Sequence, residues 1–364
     1  MSLVVAGDIG GTKTRLAVIE VAGTQARPRD GEAELSGAGV AAGGRPMGSP
    51  LLRNDPFALS KVRIRREVDY PSRDFGTFEA LLADFLKDMQ VPAHAAFGIA
   101  GPVRGRSVRV TNLPWHIEAD ALQQRFGFET CILLNDLEAT AYGLPALGAE
   151  DLLTLQPGLP DACGNAAIIA AGTGLGEAGL YWDGERHRPY ATEGGHTSFS
   201  PQSELEMDLL RHLQGRYAHV SWERVVSGMG LLDLHDFLRS HRKATVPPWL
   251  EEEMRAGDAA AAISRAALAG SDDICIEALE CFVRLYGAEA GNLALKTMSC
   301  GGLYVGGGIA PKILPLLQHK LFMQAFLGKG RMFSLLEAMP VRVILNDRVA
   351  LFGPALCAEG HRTA

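Results

Sequence analysis

The feature that most constrains this 364-residue chain is a glycine turn set between two apolar runs near its first residue. Residues 3–7 (LVVAG) and 14–21 (TRLAVIEV) are rich in Val, Leu and Ile, which predicts two β-strands with Gly10 and Gly11 between them. Glycine-rich turns expose backbone N–H groups that can bind phosphate. A P-loop would lead into a helix, whereas this turn leads into a strand-like run. The pattern therefore predicts a phosphate-binding hairpin.

A second segment repeats the pattern of strand, glycine turn and strand at 166–182 (AAIIAAGTGLGEAGLYW). It lacks a complete G-x-G-x-x-G, and a strand-like run follows it, which disfavours a dinucleotide-binding fold. A third glycine run, GGLYVGGGIA, opens from an apolar stretch at 301–310. Each turn alone is also explained as a tight turn without a ligand. Together they indicate a duplicated architecture with a ligand between the halves.

Composition narrows the class of protein. Hydrophobic residues make up 47% of the chain and charged residues 21%, which is typical of a soluble globular protein. The formal net charge of −7 argues against a nucleic-acid or membrane-surface partner. The six cysteines include no C-x-x-C pair, which disfavours a zinc site and indicates a reduced compartment. The start MSLVVAGD has no basic region, so we expect neither a signal peptide nor a membrane span, and a cytoplasmic location.

Strand-like and helix-like segments alternate along the chain, which predicts an α/β fold. Helical spacing of apolar residues appears at 77–89, 203–217, 274–298 and 311–326. We expect residues 23–60 to be an insertion or mobile loop, because the Gly-, Ala- and Pro-rich part to about residue 56 has little periodicity. The run KVRIRR at 61–66 alternates and predicts a strand with one solvated face.

Asp136 stands out among the acidic residues. It follows the apolar run CILL, and α/β proteins place their sites at the carboxyl ends of such strands. A carboxylate there can accept a proton from a reacting hydroxyl. The alternative is that Asp136 is only the N-cap of the following helix, a position that Asp favours.

Five motifs in this order resemble the bacterial glucokinase family of the hexokinase and actin-like ATPase superfamily: GDIGGTKTR, LLNDLEA, AGTGLG, EGGH and GGGI. The resemblance covers nearly the whole chain except 23–60. It implies a two-domain α/β actin-like ATPase (ribonuclease H-like) fold with an interdomain cleft. We expect a small domain of 1–146 plus 345–364, a large domain of 147–344, and a homodimer.

The resemblance also implies roles for individual residues in transfer of a phosphoryl group from ATP, with Mg²⁺, to glucose. Asp136 would be the general base for the sugar 6-hydroxyl. Five residues would line the sugar site: Asn112, Asn135, Glu193, His196 and Glu223. Eleven would hold the nucleotide: Asp8, Gly10, Gly11, Thr12 and Lys13 at the phosphates, Gly172, Thr173 and Gly174 in the second domain, and Gly306, Gly307 and Gly308 at the adenosine. None is assigned as a direct metal ligand; Asp8 would act through Mg²⁺ or its waters.

Three alternatives remain at this point. One is a kinase for another hexose, such as mannose or an amino sugar. Another is a non-catalytic sugar-responsive regulator, which we expect less because such proteins carry a DNA-binding module ahead of the hairpin, and here the hairpin begins at residue 3. The third is an actin-like or chaperone-like ATPase, which would not need E-G-G-H. The zinc-binding sugar-kinase pattern C-x-C-G-x-x-G-C is not found after His196.

Overall fold

A computed structural model describes residues 1–22 and 62–362. The expected insertion at 23–60 lies outside the described residues, as does Lys61, the first residue of the alternating basic run.

The first sheet contains both strands of the N-terminal hairpin. Its members are β1 (Ser2–Ile9), β2 (Lys13–Val21), β3 (Val62–Pro71), β4 (His94–Ile99) and β8 (Thr130–Asn135), in the order β3-β2-β1-β4-β8. β1, β4 and β8 are parallel, while β2 and β3 are antiparallel to their neighbours. A small antiparallel sheet lies in the connection between β4 and β8 and consists of β5 (Val103–Arg104), β6 (Ser107–Arg109) and β7 (His116–Glu118).

The second large sheet is built around the second hairpin. It contains β9 (Leu152–Gln156), β10 (Ala166–Ala171), β11 (Leu175–Trp182), β12 (His187–Thr192), β13 (Gly302–Gly306) and β14 (Val341–Ile344), in the order β12-β11-β10-β13-β14-β9. β10, β13 and β14 are parallel. β10 is almost fully apolar and buried, as expected for a central strand covered on both faces.

Twelve α-helices connect and cover the sheets in the described part of the chain: α1 (Phe78–Leu86), α2 (Ala119–Phe126), α3 (Asp136–Gly143), α4 (Glu204–Gln214), α5 (Gly228–Arg242), α6 (Pro248–Ala256), α7 (Ala259–Leu268), α8 (Asp273–Thr297), α9 (Leu314–Gln318), α10 (Lys320–Leu327), α11 (Phe333–Glu337) and α12 (Val349–Arg362). Short 3₁₀ turns occupy Ser72–Asp74, Leu144–Ala146, Ala149–Asp151, Gly194–His196, Trp222–Arg224, Ala310–Ile313 and Gly330–Met332. None of the helices in these described ranges is both long and apolar enough to cross a membrane.

The two large sheets repeat one arrangement, which confirms the duplication expected from the glycine turns. In each, an antiparallel hairpin closes over three residues, Gly10–Thr12 in the first and Gly172–Gly174 in the second. A third antiparallel strand flanks each hairpin on one side, and a parallel strand flanks it on the other. Both hairpins end at the carboxyl edge of their sheet, which is the edge where α/β proteins bind ligands.

Helices α3 and α12 join the halves through a shared apolar core. This core includes Val4 and Ala17 of the first sheet, Ile168 and Leu180 of the second, and the buried Leu351 of α12. α12 lies against α3, β1 and β4, so the C-terminal segment packs on the first sheet. This packing is compatible with the proposed small domain of 1–146 plus 345–364, whose boundaries we retain as a proposal.

Most expected helices are present within a few residues. The segment 77–89 contains α1, 203–217 contains α4, and 274–298 matches α8 to within one residue at each end. The segment 311–326 is not one helix: a 3₁₀ turn, α9 and α10 follow each other, with His319 extended at φ −72° and ψ 155° between the two helices. Apolar spacing continues through His319, so the sequence pattern did not reveal the break.

Candidate active site

The first glycine hairpin is closed by its own backbone and held from the side by Ser72. The N–H of Gly10 donates to the carbonyl of Lys13 at 3.0 Å. The fully buried Ser72 donates from Oγ to the carbonyl of Gly10 at 2.8 Å, and its Oγ lies 2.9 Å from Oγ1 of Thr14. Its N–H also donates to the carbonyl of Thr12 at 3.0 Å. The turn is therefore a fixed hairpin loop, as the sequence predicts, and not the start of a helix.

Charged side chains collect on the face of this hairpin that carries Asp8. Asp8 pairs in register with Arg15 across β1 and β2. Arg15 forms ion pairs with Asp69 and Asp347, both at 2.9 Å, and Lys13 Nζ lies 2.7 Å from Asp69. Burial raises the pKa of Asp8, and Arg15 and Lys13 offset this only in part. The two cations beside Asp8 are thus already paired with other carboxylates.

Asn135, and not Asp136, is the N-cap of α3. The side-chain oxygen of Asn135 accepts hydrogen bonds from the N–H groups of Leu137 (3.0 Å) and Glu138 (3.3 Å). Its amide nitrogen lies 3.5 Å from the carbonyl of Gly101. Asp136 is the first helical residue, and its Oδ1 also accepts from the N–H of Leu137 at 2.9 Å. Asn135 therefore caps α3, and the alternative that Asp136 is only the N-cap is excluded.

Asp136 is half-buried, and its surroundings are acidic. Burial raises its pKa to about 6, and the charges of Asp8 and Glu193 act in the same direction. The backbone N–H of Leu137 opposes this rise. Asp8 belongs to the first sheet and Glu193 follows β12 of the second, so carboxylates from both halves converge on Asp136. A carboxylate with a pKa near 6 is ionised at neutral pH and still a usable base.

Contacts between α3 and the second sheet bring Asp136 to the second hairpin. A Cβ added to Gly176 in β11 would overlap the side chain of Leu137. The hairpin loop itself is closed by the N–H of Gly172, which donates to the carbonyl of Gly174 at 2.8 Å. Gly228, the first residue of α5, donates to the carbonyl of Gly172 at 2.9 Å. The loop is therefore bordered by a helix N-terminus.

Glu223 lies directly on this second loop. Its Oε2 accepts a hydrogen bond from the N–H of Leu175 at 3.1 Å, and a Cβ on Gly174 would overlap the same oxygen. The side chain is only 19% exposed. Its position follows from an antiparallel bridge between Ser198 and Ser221, which joins the segment after E-G-G-H to the segment before Glu223.

The E-G-G-H motif forms a 3₁₀ turn that groups three of the expected sugar ligands. His196 Nε2 lies 3.8 Å from Oε2 of Glu193, and His196 Nδ1 lies 3.9 Å from Oε1 of Glu223. The glycines between Glu193 and His196 are required by close packing. A Cβ on Gly195 would overlap the carbonyl of Leu175, and a Cβ on Gly194 would overlap the carboxyl of Glu177.

The third glycine turn packs on the second one. Gly307 has φ +83°, a conformation that favours glycine, and a Cβ there would overlap the carbonyl of Ala171. The hydroxyl of Tyr286, from α8, joins the two turns. It accepts from the N–H of Ala171 at 3.2 Å and lies 3.1 Å from the carbonyl of Gly306. Gly306, Gly307 and Gly308 thus border the Gly172–Gly174 loop, which contains Thr173.

Asn112 lies on the other side, next to the first loop. It has φ +65°, and its Cβ would be 3.2 Å from a Cβ placed on Gly11. The preceding Thr111 donates its N–H to the carbonyl of Ala100 at 2.9 Å, and Ala100 donates to the carbonyl of Ile9 at 3.0 Å. Asn112 therefore lies at the same sheet edge as Asn135.

The geometry brings the expected residues into two groups that meet near Asp136. Asp8, Gly11 and Asn112 lie on the side of the first hairpin, and Glu193, His196, Glu223 and the loop Gly172–Gly174 lie on the other. Sequence reasoning missed Ser72, Arg15 and Tyr286 as supports of the glycine turns. No local signal marked Ser72 or Tyr286, because their partners are 20 or more residues away. Arg15 lay inside the quoted GDIGGTKTR motif without an assigned role.

The residues around Asp8 fit a magnesium ion bound with its waters. Oxygen donors suit Mg²⁺, which keeps several waters and takes few protein ligands. Asp8 is a carboxylate whose pKa burial raises, and the cations near it pair with Asp69 and Asp347. A divalent cation would supply the positive charge that this carboxylate lacks.

A family model and a sequence relative of this chain are both described as glucokinases. The family model described as Glucokinase matches residues 55–361. A glucokinase of Nostoc sp. is 40% identical over 374 aligned residues, which span 98% of this chain and 99% of the relative.

Two solved glucokinase structures superpose on nearly the whole chain. The crystal structure of a glucokinase from an Antarctic psychrotroph superposes with a TM-score of 0.77 and 28% identity, covering 99% of each chain. A ROK-family glucokinase from Streptomyces griseus, in complex with glucose and AMPPNP, superposes with a TM-score of 0.60 and 21% identity, covering 98% of this chain and 99% of the other. The second likeness concerns the fold alone.

Proposed function

Because the chain belongs to the glucokinase family, we propose that it transfers the γ-phosphoryl group of ATP to the 6-hydroxyl of glucose, with Asp136 as the general base. The protein is an ATP-dependent hexose kinase with the two-domain actin-like ATPase fold. The single observation that carries the assignment of the base is the position of Asp136. It begins α3 after a parallel strand, is free of the capping role, and interacts with Asp8 and Glu193 from the two halves.

The spacing of the first sheet supports room for one hexose between Asp136 and the first hairpin. Ile9, Ile99 and Asn135 are in register on three adjacent parallel strands. Two strand spacings amount to about 10 Å. Asp136 follows Asn135 directly, and the phosphate loop follows Ile9 directly, so the base and the phosphates would flank a sugar of that width.

In this proposal the two hairpin loops hold the phosphates. The N–H groups of Gly10 and Gly172 close the two turns, so the remaining backbone N–H groups of the Gly10–Thr12 and Gly172–Gly174 loops bind the phosphate oxygens. Because the loops are already closed by their own hydrogen bonds, these donors are held in place before the nucleotide binds. The turn at Gly306–Gly308 borders the adenosine. Lys13 would add charge by sharing its contact with Asp69.

Mg²⁺ would be held near Asp8 through water. When bound, it would neutralise phosphate charge that Asp8 would otherwise repel. Asp8 is suited to hold such a hydrated ion because, among the described residues, the neighbouring cations Lys13 and Arg15 are paired with other carboxylates.

The sugar hydroxyls would be held by Asn112, Asn135, Glu193, His196 and Glu223. Each unpaired hydroxyl in a closed site would cost about 1–3 kcal/mol, so several fixed partners are needed. Asp136 accepts the proton of the 6-hydroxyl. The oxygen of that hydroxyl bonds to the γ-phosphorus while the bond between the γ-phosphorus and ADP breaks. Closure of the two halves would expel water and limit ATP hydrolysis.

We infer a cytoplasmic homodimer that binds neither nucleic acid nor membranes. The described cysteines Cys131, Cys163, Cys275, Cys281, Cys300 and Cys357 are all free thiols, which suits a reducing compartment.

The test is a panel of hexoses with Mg-ATP, read by product analysis as well as ADP release. We expect glucose 6-phosphate as the main product and lower kcat/KM for mannose and glucosamine. A higher kcat/KM for mannose or glucosamine than for glucose would identify that sugar, and not glucose, as the preferred substrate. ATP hydrolysis at a rate independent of every sugar would reject the kinase assignment.

A further inference from the structure

Glu177 is a buried carboxyl group beneath the E-G-G-H turn. It lies in β11, is 2% exposed, and pairs in register with Thr192 of β12. Oγ1 of Thr192 donates to the carbonyl of Glu177 at 2.9 Å. The side-chain oxygen Oε2 lies so close to Gly194 that a Cβ there would overlap it. The turn between Glu193 and His196 therefore packs directly on the carboxyl group of Glu177.

The charge around Glu177 does not favour a second anion. Glu289 of α8 is fully buried and faces it, and Glu289 already receives Lys296 Nζ on Oε1 (3.0 Å) and Asn292 Nδ2 on Oε2 (2.7 Å). Within residues 1–22 and 62–362, Oε1 of Glu177 is buried without a hydrogen-bond partner. Burial and the charge of Glu289 raise the pKa of Glu177 to about 8, with Lys296 opposing. The surroundings of Glu177 therefore favour its neutral, protonated form.

The network continues away from the site. Lys329 Nζ donates to Oδ1 of Asn292 at 2.6 Å and to the carbonyl of Ala288 at 2.9 Å. Burial lowers the pKa of Lys329 while Glu289 raises it.

The titratable groups that interact with Glu177 are Glu289, Lys296 and the hydroxyl of Tyr286, all from α8. The single cation among them already serves Glu289.

We propose that Glu177 is a positioning residue for sugar binding: its neutral carboxyl group supports the Gly194–Gly195 turn, and its deprotonation beside Glu289 displaces that turn and the attached Glu193 and His196. The inference rests on the proposed sugar-kinase function. A second negative charge facing Glu289 would repel it, and because the carboxyl group of Glu177 already lies against Gly194, its displacement would be transmitted to the turn. The affinity for the sugar should therefore fall at alkaline pH, whereas kcat, which depends on Asp136 as the base, should not.

The test compares wild type with Glu177→Gln and Glu177→Ala over about pH 7 to 9. For wild type we expect the glucose KM to rise about tenfold across this range, because only the protonated fraction is competent to bind, while kcat changes little. Glu177→Gln keeps a neutral group of the same shape, so its KM should be nearly constant with pH. Glu177→Ala leaves the turn unsupported and should raise KM at every pH, with Gln restoring most of the loss.

Glu185→Gln, an exposed glutamate in the turn after the same strand, is the matched control and should follow wild type. If wild type makes no hexose phosphate, the proposed function fails. If it does, and Glu177→Gln shows the same alkaline rise in KM as wild type, the role of Glu177 is rejected. A wild-type KM that stays constant to about pH 9 rejects it too. Because the comparison needs only the Gln variant, it stands even if Glu177→Ala does not fold.

Discussion

Oε2 of Glu223 accepts a hydrogen bond from the backbone N–H of Leu175 at 3.1 Å. Its other oxygen, Oε1, lies 3.9 Å from Nδ1 of His196. One carboxylate thus joins the hairpin assigned to the nucleotide with the turn assigned to the sugar. This contact couples the two parts of the site, and it gives the first prediction.

Replacing Glu223 should affect both substrates. Glu223→Ala removes a charged hydrogen-bond acceptor, worth about 1.5–3 kcal/mol. We expect the glucose KM to rise about 10- to 100-fold and the KM for ATP to rise several-fold, because Leu175 loses its partner. Glu223→Gln can still accept from Leu175, so its effect should be confined to glucose. Steady-state kinetics with each substrate varied in turn measure this, with the exposed Glu252→Ala as control. An unchanged KM for ATP in Glu223→Ala would contradict the coupling.

The pKa of Asp136, about 6, predicts the acid limb of the rate profile. The base must be ionised to accept the proton of the hydroxyl, so kcat/KM for glucose, which reports the pKa of the free enzyme, should fall about tenfold per pH unit below about pH 6. The measurement is kcat/KM for glucose at saturating ATP from about pH 5 to 8. A kcat/KM that stays constant down to about pH 5 would contradict the raised pKa of Asp136 as the base.

The same pKa shift predicts that Asp136 destabilises the fold. Its pKa is raised from 3.8 to about 6, so the native state binds more protons than the unfolded state between these values. Stability therefore falls as pH rises through this window, by about 3 kcal/mol in total. Asp136→Asn removes the loss.

The free energy of unfolding of Asp136→Asn, from urea titration, should exceed that of wild type by up to about 3 kcal/mol at pH 7.5, and by about half as much at pH 5. Asp161→Asn, at an exposed aspartate, should show no such gain. A destabilised Asp136→Asn at pH 7.5 would contradict the burial of an ionised carboxylate at this position.

Ser72 gives a prediction about the first hairpin. Ser72→Ala removes the hydrogen bond that its hydroxyl donates to the carbonyl of Gly10 and the one that it accepts from the hydroxyl of Thr14. Each is worth about 1 kcal/mol net, and the loosened loop should raise the KM for ATP several-fold. The KM for glucose should change less. Ser334→Ala, at an exposed serine, is the control. Equal increases in both KM values would indicate general unfolding instead of a loosened phosphate loop.

Much of the fold was predictable because its signals are local. Glycines between β-branched runs predicted both hairpins, and the strand-like residues after each loop excluded a P-loop. The order of five motifs then predicted the family. The helix break at His319 was not predictable, since apolar spacing continues across it.

The site was predictable only where a motif named the residue. Asn135 and Asp136 are adjacent, and local sequence cannot decide which of them caps α3; the structure gives the cap to Asn135. Glu223 resembles a surface charge in its own segment, and only the bridge between Ser198 and Ser221 brings it to the second loop. Ser72 and Glu177 act through partners distant in sequence, so no local pattern marks them.

The most direct measurement is single-turnover formation of glucose 6-phosphate by wild type and Asp136→Asn, each saturated with glucose and Mg-ATP. With Asp136 as the base, the Asn variant should bind glucose with nearly unchanged affinity in calorimetry and transfer the phosphoryl group about 10²- to 10⁴-fold more slowly. Transfer by Asp136→Asn at the wild-type rate would contradict the account.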